Sequence, residues 1–145
     1  MWMKSNLNRI ERMRAGQYMP LKLTEKRFNG YFSRGRAGEM GLASMSGAMG
    51  EDYFSIKAVK QFASFRIKGY GFDIGLSLLV KYGVAEGTAS LKSGAIGHIP
   101  LPGPLAKLSE VIMVSLIKDS KEHNAAKLMK NAELLSGQLT LRLEK

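Results

Sequence analysis

The chain predicts an α+β fold: a small antiparallel β-meander with C-terminal helices and a basic, partly helical N-terminal arm. Three observations carry that expectation. Apolar and polar residues alternate from Tyr53 onward, apolar residues recur at helical spacing after Pro104, and positive charge is crowded into the first 36 residues. With 145 residues and 45% hydrophobic content, the chain is long enough for one domain with a real core. The expected division is a basic arm over 1–36, a Gly/Met-rich hinge over 37–52 and an α+β body over 53–145.

The arm rests on charge. Lys4, Arg9, Arg12, Arg14, Lys22, Lys26, Arg27, Arg34 and Arg36 face only Glu11 and Glu25, so nine cations against two acids place +7 of the total +10 in this segment. Within it, Ser5 suits the start of a short helix running through Ala15, with Leu7, Ile10 and Met13 along one side and Gly16 at its end. Pro20 reads as a break, Thr24 as the cap of a second short helical turn, and Asn29-Gly30 as a turn. Trp2, Tyr18, Phe28, Tyr31 and Phe32 are interleaved with the cations.

The stretch from Ser33 to Asp52 is rich in Gly, Ala, Ser and Met. Leu42, Met45 and Met49 fall at i, i+3 and i+7, and flexible methionines suit adaptable contacts. Glycine disfavours an isolated helix there, so the segment reads as a hinge that orders on docking, with a solvated linker and a ligand loop as the other readings.

In the body, Phe54, Ile56 and Ala58 alternate with polar residues, as do Ala63, Phe65 and Ile67 after a break. Phe72, Ile74, Leu76, Leu78 and Val80 form the cleanest alternation, following a turn expected at Gly69–Gly71. A weaker strand is expected over Val84–Lys92. The short separations favour an antiparallel meander over parallel crossovers. His98–Pro104 reads as an extended connector, and Pro104–Lys118 as an amphipathic helix with Leu105, Leu108, Ile112, Leu116 and Ile117 inward. Asp119 and Glu122 suggest a capping box for a second helix, or a continuation of the first, carrying Leu128, Ala132 and Leu135 to Gly137. Gln138–Lys145 reads as a strand seeking the edge of the central sheet or of a neighbouring subunit.

Catalytic chemistry finds little support. There are no cysteines and only two histidines, His98 and His123, so no metal site is expected. The GxxG spacings at Gly35–Gly41 and Gly47–Gly50 lack the helix–loop–helix setting of a nucleic-acid loop, and Gly69–Gly75 misses the dinucleotide fingerprint. No catalytic residue and no cofactor are expected. The amino terminus has no secretory pattern and no apolar run is long enough to span a bilayer, so the expected setting is cytoplasmic or within a macromolecular assembly.

Two functions fit these features. One is a non-enzymatic structural or assembly subunit that docks onto neighbouring subunits or an acidic partner, an organisation shared with small virion and tail proteins. Its expected partners are further copies of the chain or a larger protein assembly. The other is nucleic-acid binding, with the nine cations contacting phosphates and Phe28 and Tyr31 stacking on bases. Under either, the partner-binding residues are the nine cations with Phe28 and Tyr31, and the docking residues of the hinge are Leu42, Met45 and Met49. A membrane partner is not expected, because the apolar side of the first helix is narrow.

Overall fold

The computed structural model describes residues 2–135 and 137–145; Met1 and Ser136 lie outside the described residues. Mixed α and β structure is present as expected, built on two antiparallel sheets. Helix α1 (Trp2–Glu11) leads into strand β1 (Tyr18–Thr24), helix α2 (Glu25–Tyr31), a kinked turn over Phe32–Arg36 and a last helical turn α3 (Ala37–Glu39). Strands β2 (Ser44–Met49), β3 (Tyr53–Ile67), β4 (Tyr70–Ala85), β5 (Thr88–Ile96) and β6 (Ile99–Pro102) follow as a five-stranded meander in sequential order. Helices α4 (Ala106–Ile117) and α5 (Lys121–Ala126) and strands β7 (Met129–Leu135) and β8 (Gln138–Glu144) complete the chain.

The front segment contributes side chains to the core. Helix α1 buries Met3, Leu7 and Ile10, which recur at i, i+4 and i+7 and so share one face. Strand β1 turns Met19, Leu21 and Leu23 inward while Tyr18, Pro20 and Lys22 face out. Tyr31 and Phe32 are buried in the same core. All of the cations but Arg36 sit on exposed positions, spread over several elements of a folded segment. Pro20 does not interrupt β1, because β1 is an edge strand and the missing N–H costs no ladder bond.

Strand β8 pairs along its whole length with β1, from Tyr18 opposite Glu144 to Thr24 opposite Gln138, and lies in the middle of the order β1-β8-β7. It therefore joins neither the central sheet nor a neighbour, as the sequence suggests, but a second sheet shared with the amino-terminal segment. The chain ends are tied there, with the Gly16 amide donating to the Lys145 carbonyl at 2.8 Å.

Three other expectations change. The 37–52 hinge contains β2, which pairs with β3 and turns Met45 inward with Gly47 and Met49 on the same side. Gly47 is small because the Phe28 ring lies against it, where a Cβ would sit 2.9 Å from the ring. The second C-terminal helix stops at Ala126, capped by the Ser120 hydroxyl, which accepts from the His123 amide at 3.1 Å; Ala132 and Leu135 belong to β7. Helix α4 forms with Ile112, Leu116 and Ile117 against the core as expected, but is turned so that it buries Ala106, Ser109 and Met113 and leaves Leu108, and Leu105 just before it, exposed.

The rotation of α4 follows from a close approach to the sheet. A Cβ on Gly94 of β5 would lie 2.0 Å from the Ser109 hydroxyl and 2.8 Å from the Leu79 carbonyl, so only glycine lets the helix come this near. Tyr82 of β4 donates to Glu110 Oε2 at 2.6 Å, and Lys107 pairs with the other carboxylate oxygen, pinning the helix in register.

Two stability outcomes follow. Gly94→Ala must push α4 off the sheet and is expected to cost about 1–3 kcal/mol of unfolding free energy, read as a lowered urea midpoint. Deleting residues 1–36 removes β1 and eight core side chains, and is expected to abolish cooperative unfolding followed by circular dichroism.

Candidate interaction surface

The longest elements are β3 and β4, and their outer halves leave the body. Every residue from Gln61 to Gly75 is exposed, although many are apolar. Phe65 is 42% exposed, Ile67 53%, Tyr70 72%, Phe72 47% and Ile74 51%. These side chains share one face. On β4 the residues Tyr70, Phe72, Ile74, Leu76, Leu78, Val80 and Tyr82 alternate onto the same side of the strand. Leu78 and Val80 are buried in the core, so the outer stripe is the core-facing side of the sheet carried past the edge of the body.

Strand β3 keeps to this face by a bulge. Phe54, Ile56, Ala58 and Lys60 pair with Tyr82, Val80, Leu78 and Leu76, but the register shifts between Gln61 and Ala63, leaving Phe62 unpaired. Beyond the shift, Ala63, Phe65 and Ile67 pair with Ile74, Phe72 and Tyr70. Were Phe62 paired in the regular ladder, Ser64 and Arg66 would occupy the apolar side, because a one-residue slip exchanges the faces of a strand. Phe65 and Phe72 stack with ring centroids 5.5 Å apart.

The opposite side of this ribbon is polar. Ser64 and Gln61 both donate to Asp73 Oδ1, at 2.5 and 3.0 Å, binding the two strands together beside the bulge. The tip is a two-residue turn with both Lys68 (φ 49°) and Gly69 (φ 83°) left-handed, which matches strand twist and lets the ribbon run straight to its end.

The residues singled out by sequence are placed differently. Phe28 packs against Phe32 with centroids 4.8 Å apart and covers Gly47, and Tyr31 is buried, so neither presents a ring for stacking on a base. Arg27 lies over the Trp2 ring at 4.4 Å. Leu42 and Met45 are core residues and Met49 is half-buried, so they do not form a docking face. Lys4, Arg9, Arg12, Arg14, Lys22, Lys26 and Arg34 are exposed, spread over α1, β1, α2 and the connecting turns. Of these, Arg9 and Arg12 line an open groove of about 540 Å³ with Gln17 and Tyr18.

Arg36 is a strut. Its Nε donates to Glu122 Oε1 at 2.6 Å and its Nη2 to Glu122 Oε2 at 2.9 Å, while Tyr31 Oη donates to Oε1 at 2.6 Å. Nη1 reaches Glu39 at 3.0 Å. This bidentate pair ties the turn after α2 to α5. Burial alone would raise the Glu122 pKa, but the hydrogen bonds from Arg36 and Tyr31 outweigh it and hold the carboxyl below its ordinary range. Burial, reinforced by the hydrogen bond to Glu122, pushes the Tyr31 hydroxyl upward.

Because the folded-state pKa of Glu122 is depressed, its contribution is present above the ordinary glutamate range and is lost as pH falls through the depressed value. Acid titration of the unfolding midpoint is expected to show this loss. Arg36→Ala, which strands the carboxylate, is expected to destabilise by about 3 kcal/mol at neutral pH, and Glu122→Gln to flatten the acid limb.

Comparison with protein-family models, with curated proteins and with solved structures finds no match for this chain.

Proposed function

We propose that this chain is a non-enzymatic structural subunit that assembles with neighbouring subunits, and that the β3–β4 ribbon is its docking limb. The observation that supports this reading is the uncovered apolar stripe. A half-exposed aromatic leaves on the order of 100 Å² in water, so Phe65, Tyr70 and Phe72 together present a patch of roughly 300 Å², and Ile67 and Ile74 enlarge it. The largest apolar patch of a folded monomer is typically of about this size and is often functional. The patch is also built rather than incidental: a bulge, a stacked aromatic pair and a polar network on the reverse side keep one face apolar to the tip.

The polar chemistry fits a structural role. The two carboxylates with lowered pKa values, Glu110 and Glu122, are each occupied by a tyrosine and a cation; Tyr82 ties Glu110 to β4, and Arg36 and Tyr31 tie Glu122 to the segment after β1. No helix among the described residues is long and apolar enough to cross a membrane.

Nucleic-acid binding is the second reading, and the groove at Arg9, Arg12 and Tyr18 favours it. The two readings have opposite salt dependence. Contacts to phosphate weaken as salt rises, whereas apolar association between molecules that each carry +10 strengthens as their mutual repulsion is screened.

Size-exclusion chromatography with light scattering is expected to show oligomers whose fraction grows from 50 to 500 mM salt, roughly the range over which screening becomes short-ranged, with no excess absorbance at 260 nm. Phe65→Thr with Phe72→Thr is expected to leave a folded monomer. A gel shift lost in Arg9→Ala/Arg12→Ala, with no oligomer at any salt, would instead establish the second reading.

A further inference from the structure

The open groove at the junction of α1 and β1 holds about 540 Å³, within the range of roughly 300–1,000 Å³ that small-molecule sites occupy. Arg9 and Arg12 enter it from the helix, and Gln17 and Tyr18 from the entry to β1; all four are exposed. Although α1 ends at Glu11, the Arg12 amide bonds back to the Asn8 and Arg9 carbonyls, so the helical turn continues and the two arginines, three residues apart, stay neighbours.

From this arrangement we infer that the groove binds a nucleoside phosphate, with the phosphate held by Arg9 and Arg12 and the base stacked on Tyr18, whether the nucleotide is free or part of a single strand. The inference is independent of the ribbon, because the groove is lined by residues between Arg9 and Met19. It shares that groove with the nucleic-acid reading and names the unit recognised there. Three observations support it.

The first is charge. Arg9 and Arg12 take part in no ion pair among the described residues. The nearest acids in the chain do not line the groove: Glu11 pairs with Lys121 at 3.3 Å, and Glu144 lies opposite Tyr18 on β8. Like charges three apart on a helix repel, and a phosphate between them replaces that repulsion with the paired N–H contacts that guanidinium groups offer to phosphate oxygens.

The second is the setting of the Tyr18 ring. It is 62% exposed, and the Arg142 guanidinium lies over it at 4.4 Å. Arg142 and Tyr18 together line a neighbouring cleft of about 150 Å³, whereas Tyr18 without Arg142 lines the groove. One face of the ring is therefore backed by a cation, which fixes its plane, and the other is turned to the groove as a stacking platform. A bare phosphate or a carboxylate uses the arginines alone; a nucleotide uses the ring as well.

The third is preorganisation. The Gly16 amide donates to the Lys145 carbonyl at 2.8 Å and the Lys145 amide to the Gln17 carbonyl at 3.0 Å, which clamps the turn to the end of β8. Gln17 Oε1 accepts from the Arg14 amide at 2.8 Å, while its amide nitrogen has no partner among the described residues and is a further donor beside the arginines. A site held in place before binding loses less freedom when the ligand arrives.

The test is titration of the full chain followed by nitrogen-15 NMR at about 50 mM salt, where phosphate contacts are strong. Adenosine monophosphate is expected to shift the side-chain signals of Arg9, Arg12 and Gln17, and to bind about tenfold more tightly than inorganic phosphate. Tyr18→Ala is expected to bring adenosine monophosphate down to the affinity of inorganic phosphate and to leave inorganic phosphate unchanged, and Tyr18→Phe to restore the difference. Arg9→Gln with Arg12→Gln is expected to lose both ligands. All three positions are exposed, and circular dichroism checks that the variants fold. An oligodeoxyadenylate distinguishes the sources: binding tighter than that of adenosine monophosphate assigns the groove to a strand, and equal binding assigns it to the free nucleotide. Phe65→Thr with Phe72→Thr is expected to bind adenosine monophosphate as the wild type does, which separates this site from assembly through the ribbon.

Equal affinity for adenosine monophosphate and inorganic phosphate, or a Tyr18→Ala chain that binds the nucleotide like the wild type, overturns the inference even where a strand still binds elsewhere on the surface. Absence of any shift at Arg9 and Arg12 overturns it as well, and leaves the assembly reading standing.

Discussion

The architecture depends on one apolar stripe that runs the length of β4. At its inner end the stripe is the floor of the core, where Leu78 and Val80 are sealed beneath α4 and beside Ala58. At its outer end the same alternation continues through Phe72 and Tyr70 with nothing over it. Burial of apolar surface is the dominant driving force in folding, and it does not distinguish a core from an interface. A sheet face that is half core and half uncovered is the observation from which we propose assembly.

Keeping that face coherent requires local devices. The bulge at Phe62 brings Ala63, Phe65 and Ile67 onto the apolar side, and the contacts among Gln61, Ser64 and Asp73 fasten the reverse side. At the body, Gly94 admits α4 close to the sheet, and the Tyr82–Glu110 and Arg36–Glu122 contacts fix the helical layer from two sides. With α4 held close on Ala106 and Ser109, Met113, Ile112, Leu116 and Ile117 pack against the core while Leu108 and Val111 turn outward.

Much of the meander was legible in the sequence, because period-two alternation is a direct consequence of strand geometry: Phe72–Val80 lies within β4 and Ala63–Ile67 within β3. What alternation cannot say is whether a face meets its own chain or another. The front segment was misread for a definite reason. Met19, Leu21 and Leu23 alternate as a strand, but Pro20 and the neighbouring cations masked the pattern, and edge position is what makes the proline harmless. Residues 129–135 contain Ala, Glu, Leu and Lys, which favour helix locally, yet pairing with β8 makes them a strand. In the 37–52 segment Leu42, Met45 and Met49 fit a helical spacing as well as the strand they partly occupy, and only the Phe28 ring over Gly47 shows why the strand forms. The charge clustering was real, but charge marks which side of an element faces water rather than which segments are detachable.

Hydroxyl-radical footprinting of the wild-type chain, from dilute to concentrated solution, tests the central claim most directly. Tyr70, Phe65 and Phe72 should lose most of their oxidation as oligomers form, while exposed Tyr18 on β1 keeps its own. Equal labelling of the ribbon aromatics in monomer and oligomer, or the absence of any oligomer over that range, would contradict the account.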